Sequence, residues 1–149
     1  MSKPSYTLFV LLLISMVTFS NCKKDDPTPA DQVQSKITEI SGSYSINTVT
    51  LDNTDVTSEY TGMVITLTAS KTYQTGPGDY DPVWPDTGPY VFKDETSNPP
   101  VLTSFIRDDD VEVSYVLNGS SMTFSFNIPN PLGRTTGADG DYVFSCTKQ

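Results

Sequence analysis

From Met122 to Ile128 the chain alternates without a break. Met122, Phe124, Phe126 and Ile128 are apolar, and Thr123, Ser125 and Asn127 between them are polar. Val111, Val113, Tyr115 and Leu117 repeat the pattern, as do Met63, Ile65 and Leu67, and again Tyr142, Phe144 and Cys146. A period of two sends one set of side chains to a buried face and the other to solvent, which a strand does and a helix cannot. The segments between these runs carry turn chemistry: Asn118-Gly119, Gly76-Pro77-Gly78, Asn98-Pro99-Pro100 and Asp139-Gly140. Asn118-Gly119 between two alternating runs is the strongest hairpin signal.

The pattern predicts eight strands, near 42–51, 62–69, 71–75, 88–93, 101–107, 110–117, 121–128 and 140–147. In the first, Tyr44 and Ile46 share one parity while Val49 and Leu51 share the other, so a bulge or bend is expected between them. Residues 54–60 (TDVTSEY) have room for one helical turn, with Thr54 as its N-cap. No other segment reads as helical. Many short strands joined by short turns predict an all-β domain, either a meander closed into a barrel or a sandwich. Closure has the advantage of removing exposed strand edges.

The N-terminus has a different character. Thr7 to Phe19 (TLFVLLLISMVTF) is a 13-residue apolar run preceded by Lys3. That is too short for a membrane-spanning helix, which needs roughly 20 apolar residues, and it fits the apolar region of a secretory signal peptide. Phe19-Ser20-Asn21-Cys22 resembles a bacterial lipobox, in which cleavage precedes a cysteine that is diacylated on sulfur. Ser20 and Cys22 match the usual pattern and Phe19 and Asn21 depart from it. The following Lys23-Lys24-Asp25-Asp26 is similar to the short Lys-then-acidic signal that carries lipoproteins to the outer face of the outer membrane in some Gram-negative bacteria. The resemblance implies a signal peptide over 1–21, acylation at Cys22, and a lipid-anchored, cell-surface protein, with the periplasmic face as the alternative. Residues 23–36 are polar, contain two prolines and show no apolar period, so 22–36 is expected to be a flexible tether and 37–149 the folded domain.

Charge excludes one class of partner. The chain has 9 basic and 18 acidic residues. Without residues 1–21, which hold one charged residue, 8 basic and 18 acidic remain, a balance of −10. Such a surface repels phosphate backbones, so nucleic acid is not an expected partner. With Cys22 acylated, Cys146 has no cysteine to pair with.

Four segments, in order, resemble small bacterial lipoproteins of the lipocalin-like type. Ile40-Ser41-Gly42-Ser43-Tyr44 is similar to their "L-x-G-x-W" opening. Residues 51–75 (LDNTDVTSEYTGMVITLTASKTYQT) resemble the "ldg-x-dvt" stretch and the strands that follow it. Residues 84–92 (WPDTGPYVF) resemble "W-p-x-x-G-x-W-x-F", and 133–148 (GRTTGADGDYVFSCTK) resemble the closing "G-R…Y-x-F-x-L-x-K". The resemblance implies an antiparallel up-and-down β-barrel, often with an inner cavity, in a family most of whose members have no assigned activity. Tyr stands in place of Trp at 44 and 90. The resemblance also implies that Tyr44 packs against a basic residue near the last strands, for which Arg134 is the candidate.

Few residues suggest chemistry. The chain has no histidine, which removes the commonest general base and any Ser-His-Asp or Cys-His arrangement. Cys146 shares the parity of Phe144 and Tyr142 and is expected to be an apolar filler. Asp108-Asp109-Asp110 with Glu112, and Asp139 with Asp141, are dense in carboxylates but lack the spacing of a calcium loop, and solvated turns are the expectation. No metal or cofactor is expected. The loop 76–87 (GPGDYDPVWPDT) holds Tyr80, the only Trp (Trp84), three prolines and three aspartates. Trp84 and Tyr80 are the candidate ligand contacts, at the mouth of the barrel; the competing reading makes Trp84 a plug.

Three functions follow. One is a non-enzymatic, membrane-anchored binding module for a small apolar or glycan ligand. Another is a structural or interaction protein, its barrel filled, that contacts another envelope protein. The least supported is a hydrolase using carboxylates. A monomer is expected.

Overall fold

The computed structural model describes residues 26–129 and 138–149. The acylation candidate Cys22, the expected signal peptide 1–21 and the candidate partner Arg134 lie outside the described residues.

Among the described residues nine strands form one antiparallel sheet: β1 (Gly42–Leu51), β2 (Thr54–Asp55), β3 (Val64–Leu67), β4 (Thr72–Gly76), β5 (Thr87–Asp94), β6 (Val101–Arg107), β7 (Glu112–Asn118), β8 (Ser121–Ile128) and β9 (Gly140–Lys148). From β3 to β9 each strand pairs with the next, and β1 pairs with both β3 and β9. Eight strands therefore close into an up-and-down barrel, and β2 is a short flap on the end of β1. Each of the eight strands expected from alternation is present, and closure decides for the barrel over the sandwich. The switch of parity in β1 is a bulge between Ile46 and Thr48, after which Val49 regains the interior.

Local chemistry sets the turns. Asp52 and Asn53 join β1 to β2 with both φ positive, 49° and 66°, as a type I′ turn requires. In the β7–β8 hairpin Asn118 pairs with Ser121, so the loop itself is Gly119-Ser120, with Gly119 at φ 61° in the first central position. Thr57–Tyr60 forms a single 3-10 turn, within the segment where a helical turn is expected.

One element differs from expectation. Pro29–Ile40, assigned above to the tether and the first residues of the domain, is a 12-residue helix, α1. Thr28 caps it by accepting from Asp31 N–H while the Asp31 carboxylate accepts from Thr28 N–H, and Pro29 takes the first turn, where no amide hydrogen is needed. Val33, Ile37 and Ile40 make its apolar stripe, and Ile37 and Ile40 are buried in the core. The last carbonyls are satisfied from the barrel. Ser41 Oγ donates to Ile37 O (2.7 Å), Lys148 Nζ to Glu39 O (2.9 Å) and Tyr44 Oη to Ile40 O (2.5 Å).

Antiparallel order divides the connections between two ends. The helix end holds α1 and the turns 68–71, 95–100 and 119–120. The loop end holds the β1–β2 turn, the 3-10 turn, residues 77–86, the turn 108–111 and residues 138–139.

Candidate functional site at the loop end

The inward parity of the strands fills the barrel. Tyr44, Tyr73, Tyr90, Phe92, Phe105, Phe124 and Phe144 are all fully or almost fully buried. Phe124 faces Phe144 across β8 and β9, and Phe126 faces Tyr142 with their rings stacked at 5.6 Å.

Loop 77–86 folds back over this core. A short turn in which Val83 and Trp84 N–H both donate to Tyr80 O (2.9 and 3.0 Å) aims Trp84 down the barrel. Trp84 is 0% exposed. Its ring meets Phe126, Phe124 and Phe144 edge-on at 5.2, 5.4 and 5.8 Å, and Tyr73 at 6.3 Å. The residue expected at the mouth is thus inside, with no face open to solvent. Burying a Trp removes roughly 200 Å² from water, about 5 kcal/mol at 25 cal/mol per Å². Its indole Nε1 finds no acceptor among the described residues, a cost of about 1–3 kcal/mol. Burial exceeds that cost, so the plugged position is the stable one.

Against the Trp84 ring lies Arg107, the side chain that sequence reasoning missed. It is 2% exposed. Nε and Nη2 donate to the two carboxylate oxygens of Asp109 (3.1 and 2.6 Å), and Nη1 donates to Val83 O (3.0 Å). Its guanidinium carbon lies 5.1 Å from the Trp84 ring centroid and 5.3 Å from that of Phe126. A signal existed: Arg107 shares the inward parity of Phe105 on β6, and a carboxylate follows two residues later.

Tyr80, the other candidate contact, is half-buried. Its hydroxyl donates to Pro77 O (2.5 Å) and its ring stacks on Tyr60 (5.9 Å between centroids). Gly78, at φ 126°, lies so close to the Tyr80 ring that a Cβ there would sit 2.7 Å from the hydroxyl oxygen. A surface groove of about 320 Å³ runs beside it, lined by Glu59, Tyr60, Asp79, Tyr80, Val83 and Tyr142 among others. The structure therefore separates the two candidates, Trp84 inside the barrel and Tyr80 on the groove wall.

The carboxylate clusters have local partners. Asp108 accepts from Tyr73 Oη (2.7 Å), and Glu112 accepts from Lys93 Nζ (2.7 Å) and Ser104 Oγ (2.9 Å), bonds that lower its pKa. Asp141 accepts from Asn127 Nδ2 (2.7 Å). Among the described residues no three or more Asp, Glu or Cys side chains converge as metal ligands would. Cys146 is 1% exposed, and burial pushes its thiol up to about 12, far from a reactive thiolate. Tyr44 has Lys148 Nζ 5.8 Å from its ring centroid, so among the described residues its basic neighbour comes from the end of β9.

Comparison with family models, with curated proteins and with solved structures finds no match.

Proposed function

We propose that this is a non-enzymatic envelope lipoprotein of the lipocalin-like type. In this reading residues 1–21 are removed, acyl chains on Cys22 hold the protein in the outer membrane, and the barrel acts through its outer surface on another envelope protein. One observation carries the choice of a surface over a cavity. The space where a barrel of this size would hold a small ligand is occupied by Trp84, its aromatic neighbours and the Arg107–Asp109 pair. Eight strands leave room for packed side chains or for one small ligand, and here side chains take that room. The 13-residue apolar run ending at Cys22 supports the anchor, since two or three acyl chains bind a bilayer stably where one does not.

A small apolar or glycan ligand remains the second reading, now placed outside the barrel, because the groove beside Tyr80 has aromatic walls. Membrane fractionation of the wild type and Cys22→Ser, followed by native mass spectrometry, tests both parts. The proposal expects Cys22→Ser in the soluble fraction and a purified wild type that releases no small molecule. Retention of Cys22→Ser at the membrane would remove the anchor. A released ligand would restore the binding reading.

A further inference from the structure

The two ends of the barrel differ in charge. The connections at the loop end (52–63, 77–86, 108–111 and 138–139) hold ten carboxylates, among them Glu59, Asp79, Asp81, Asp86 and Asp110, and no lysine or arginine. Arg107, buried at the end of β6, pairs with Asp109 and offsets its charge, which leaves nine of these carboxylates uncompensated among the described residues. At the helix end, α1, the turns 68–71, 95–100 and 119–120, and the strand ends Asp94 and Lys148 carry Lys36, Lys71 and Lys148 against Asp31, Glu39, Asp94 and Glu95. That end is close to balance, at −1.

The tether joins the described chain at α1, the element of the helix end. Five residues separate Cys22 from the helix cap Thr28, a reach of roughly 20 Å when fully extended. From Thr28 the chain enters α1, whose Ile37 and Ile40 are fixed in the barrel and whose last carbonyls are held by Tyr44 and Lys148. The helix is therefore not extra slack in the tether.

We propose that the barrel stands on the membrane with its helix end against the lipid headgroups and its acidic loop end turned away. This rests on acylation of Cys22. An anionic surface acts on each nearby charge by about 1 kcal/mol and fades within a Debye length of about 10 Å. Turning the loop end to the lipid would place most of nine uncompensated carboxylates in that field. The helix end meets it with nearly balanced charge. The short tether and the charge asymmetry favour the same orientation, and they present the groove beside Tyr80 to the exterior.

The test uses the full lipidated chain in vesicles of phosphatidylethanolamine and phosphatidylglycerol, with nitroxide-headgroup lipid as a short-range quencher. A fluorophore is placed at Thr96→Cys, in the exposed β5–β6 turn of the helix end, or at Ser58→Cys, in the 3-10 turn of the loop end. Cys146 is buried and does not compete for label. Circular dichroism confirms that each labelled protein is folded. The expected result is loss of fluorescence at 96 and retention at 58. Equal loss at both positions, or loss at 58 alone, overturns the orientation while leaving the anchor in place. Failure of the protein to sediment with the vesicles overturns the anchor, and the orientation falls with it.

Discussion

Arg107 grips both carboxylate oxygens of Asp109 while its guanidinium carbon lies 5.1 Å from the Trp84 ring centroid. The pair is asymmetric: the arginine side chain is 0% exposed and the aspartate side chain 32%. The carboxylate keeps contact with water and the guanidinium does not. Losing the aspartate therefore strands a buried charge, whereas losing the arginine leaves an aspartate that can hydrate. Asp109→Asn is expected to destabilise by about 1–3 kcal/mol, and Arg107→Met, which fills the same space without charge, by less. Urea midpoints of the two variants check the order. Equal loss in both would mean that the pair is not desolvated.

Trp84→Ala empties the loop end of the barrel. Large-to-small changes of this kind cost about 3–5 kcal/mol in a packed core. That is a large share of the stability of a small domain. Thermal melting should show a partly unfolded variant at room temperature. A melting curve that overlays the wild type would place Trp84 at the surface.

The strand faces make a paired prediction. Phe124 and Phe126 are 0% and 6% exposed, and Thr123 points to the outside between Met122 and Phe124. Phe124→Ala and Phe126→Ala are each expected to cost about 3–5 kcal/mol, while Thr123→Ala stays within about 0.5 kcal/mol. Similar melting temperatures for all three would contradict the assigned faces.

Alkaline pH should weaken the barrel. Burial raises Cys146 to about 12, and Tyr44 and Tyr90 likewise to about 12. Each group is neutral when protonated, so the folded chain holds protons that the unfolded chain releases first. The stability is fully present below the unfolded thiol pKa of about 8.5, and it falls as pH rises toward 12. Urea midpoints measured across this range should decline, and less steeply for Cys146→Val. A flat profile would contradict a desolvated thiol and phenols.

Most of the barrel could be read from the sequence because alternation reports a buried face directly. The bulge in β1 was legible for the same reason, since Tyr44 and Val49 cannot both face inward on a regular strand. Helix α1 was not legible, because its stripe of Val33, Ile37 and Ile40 crosses the boundary drawn at Ile37, and each side of that boundary holds too few apolar residues to show a period. Trp84 admitted two readings, a contact at the mouth and a plug, because a loop has no period. Its destination is fixed by the space left between Phe124, Phe126 and Phe144 once the sheet closes, a tertiary fact. Arg107 was passed over because a charge is expected to point outward, although its parity with Phe105 pointed inward.

The filled interior is the claim on which the functional reading depends, and Trp84, the only tryptophan, reports on it directly. Its fluorescence should be measured on the folded protein with acrylamide as quencher, and again with candidate lipids and oligosaccharides. The account predicts emission shifted to the blue, shielded from acrylamide and unchanged by every addition. Red-shifted, readily quenched emission that responds to one of the additions would contradict it and would make the barrel a ligand-binding cavity.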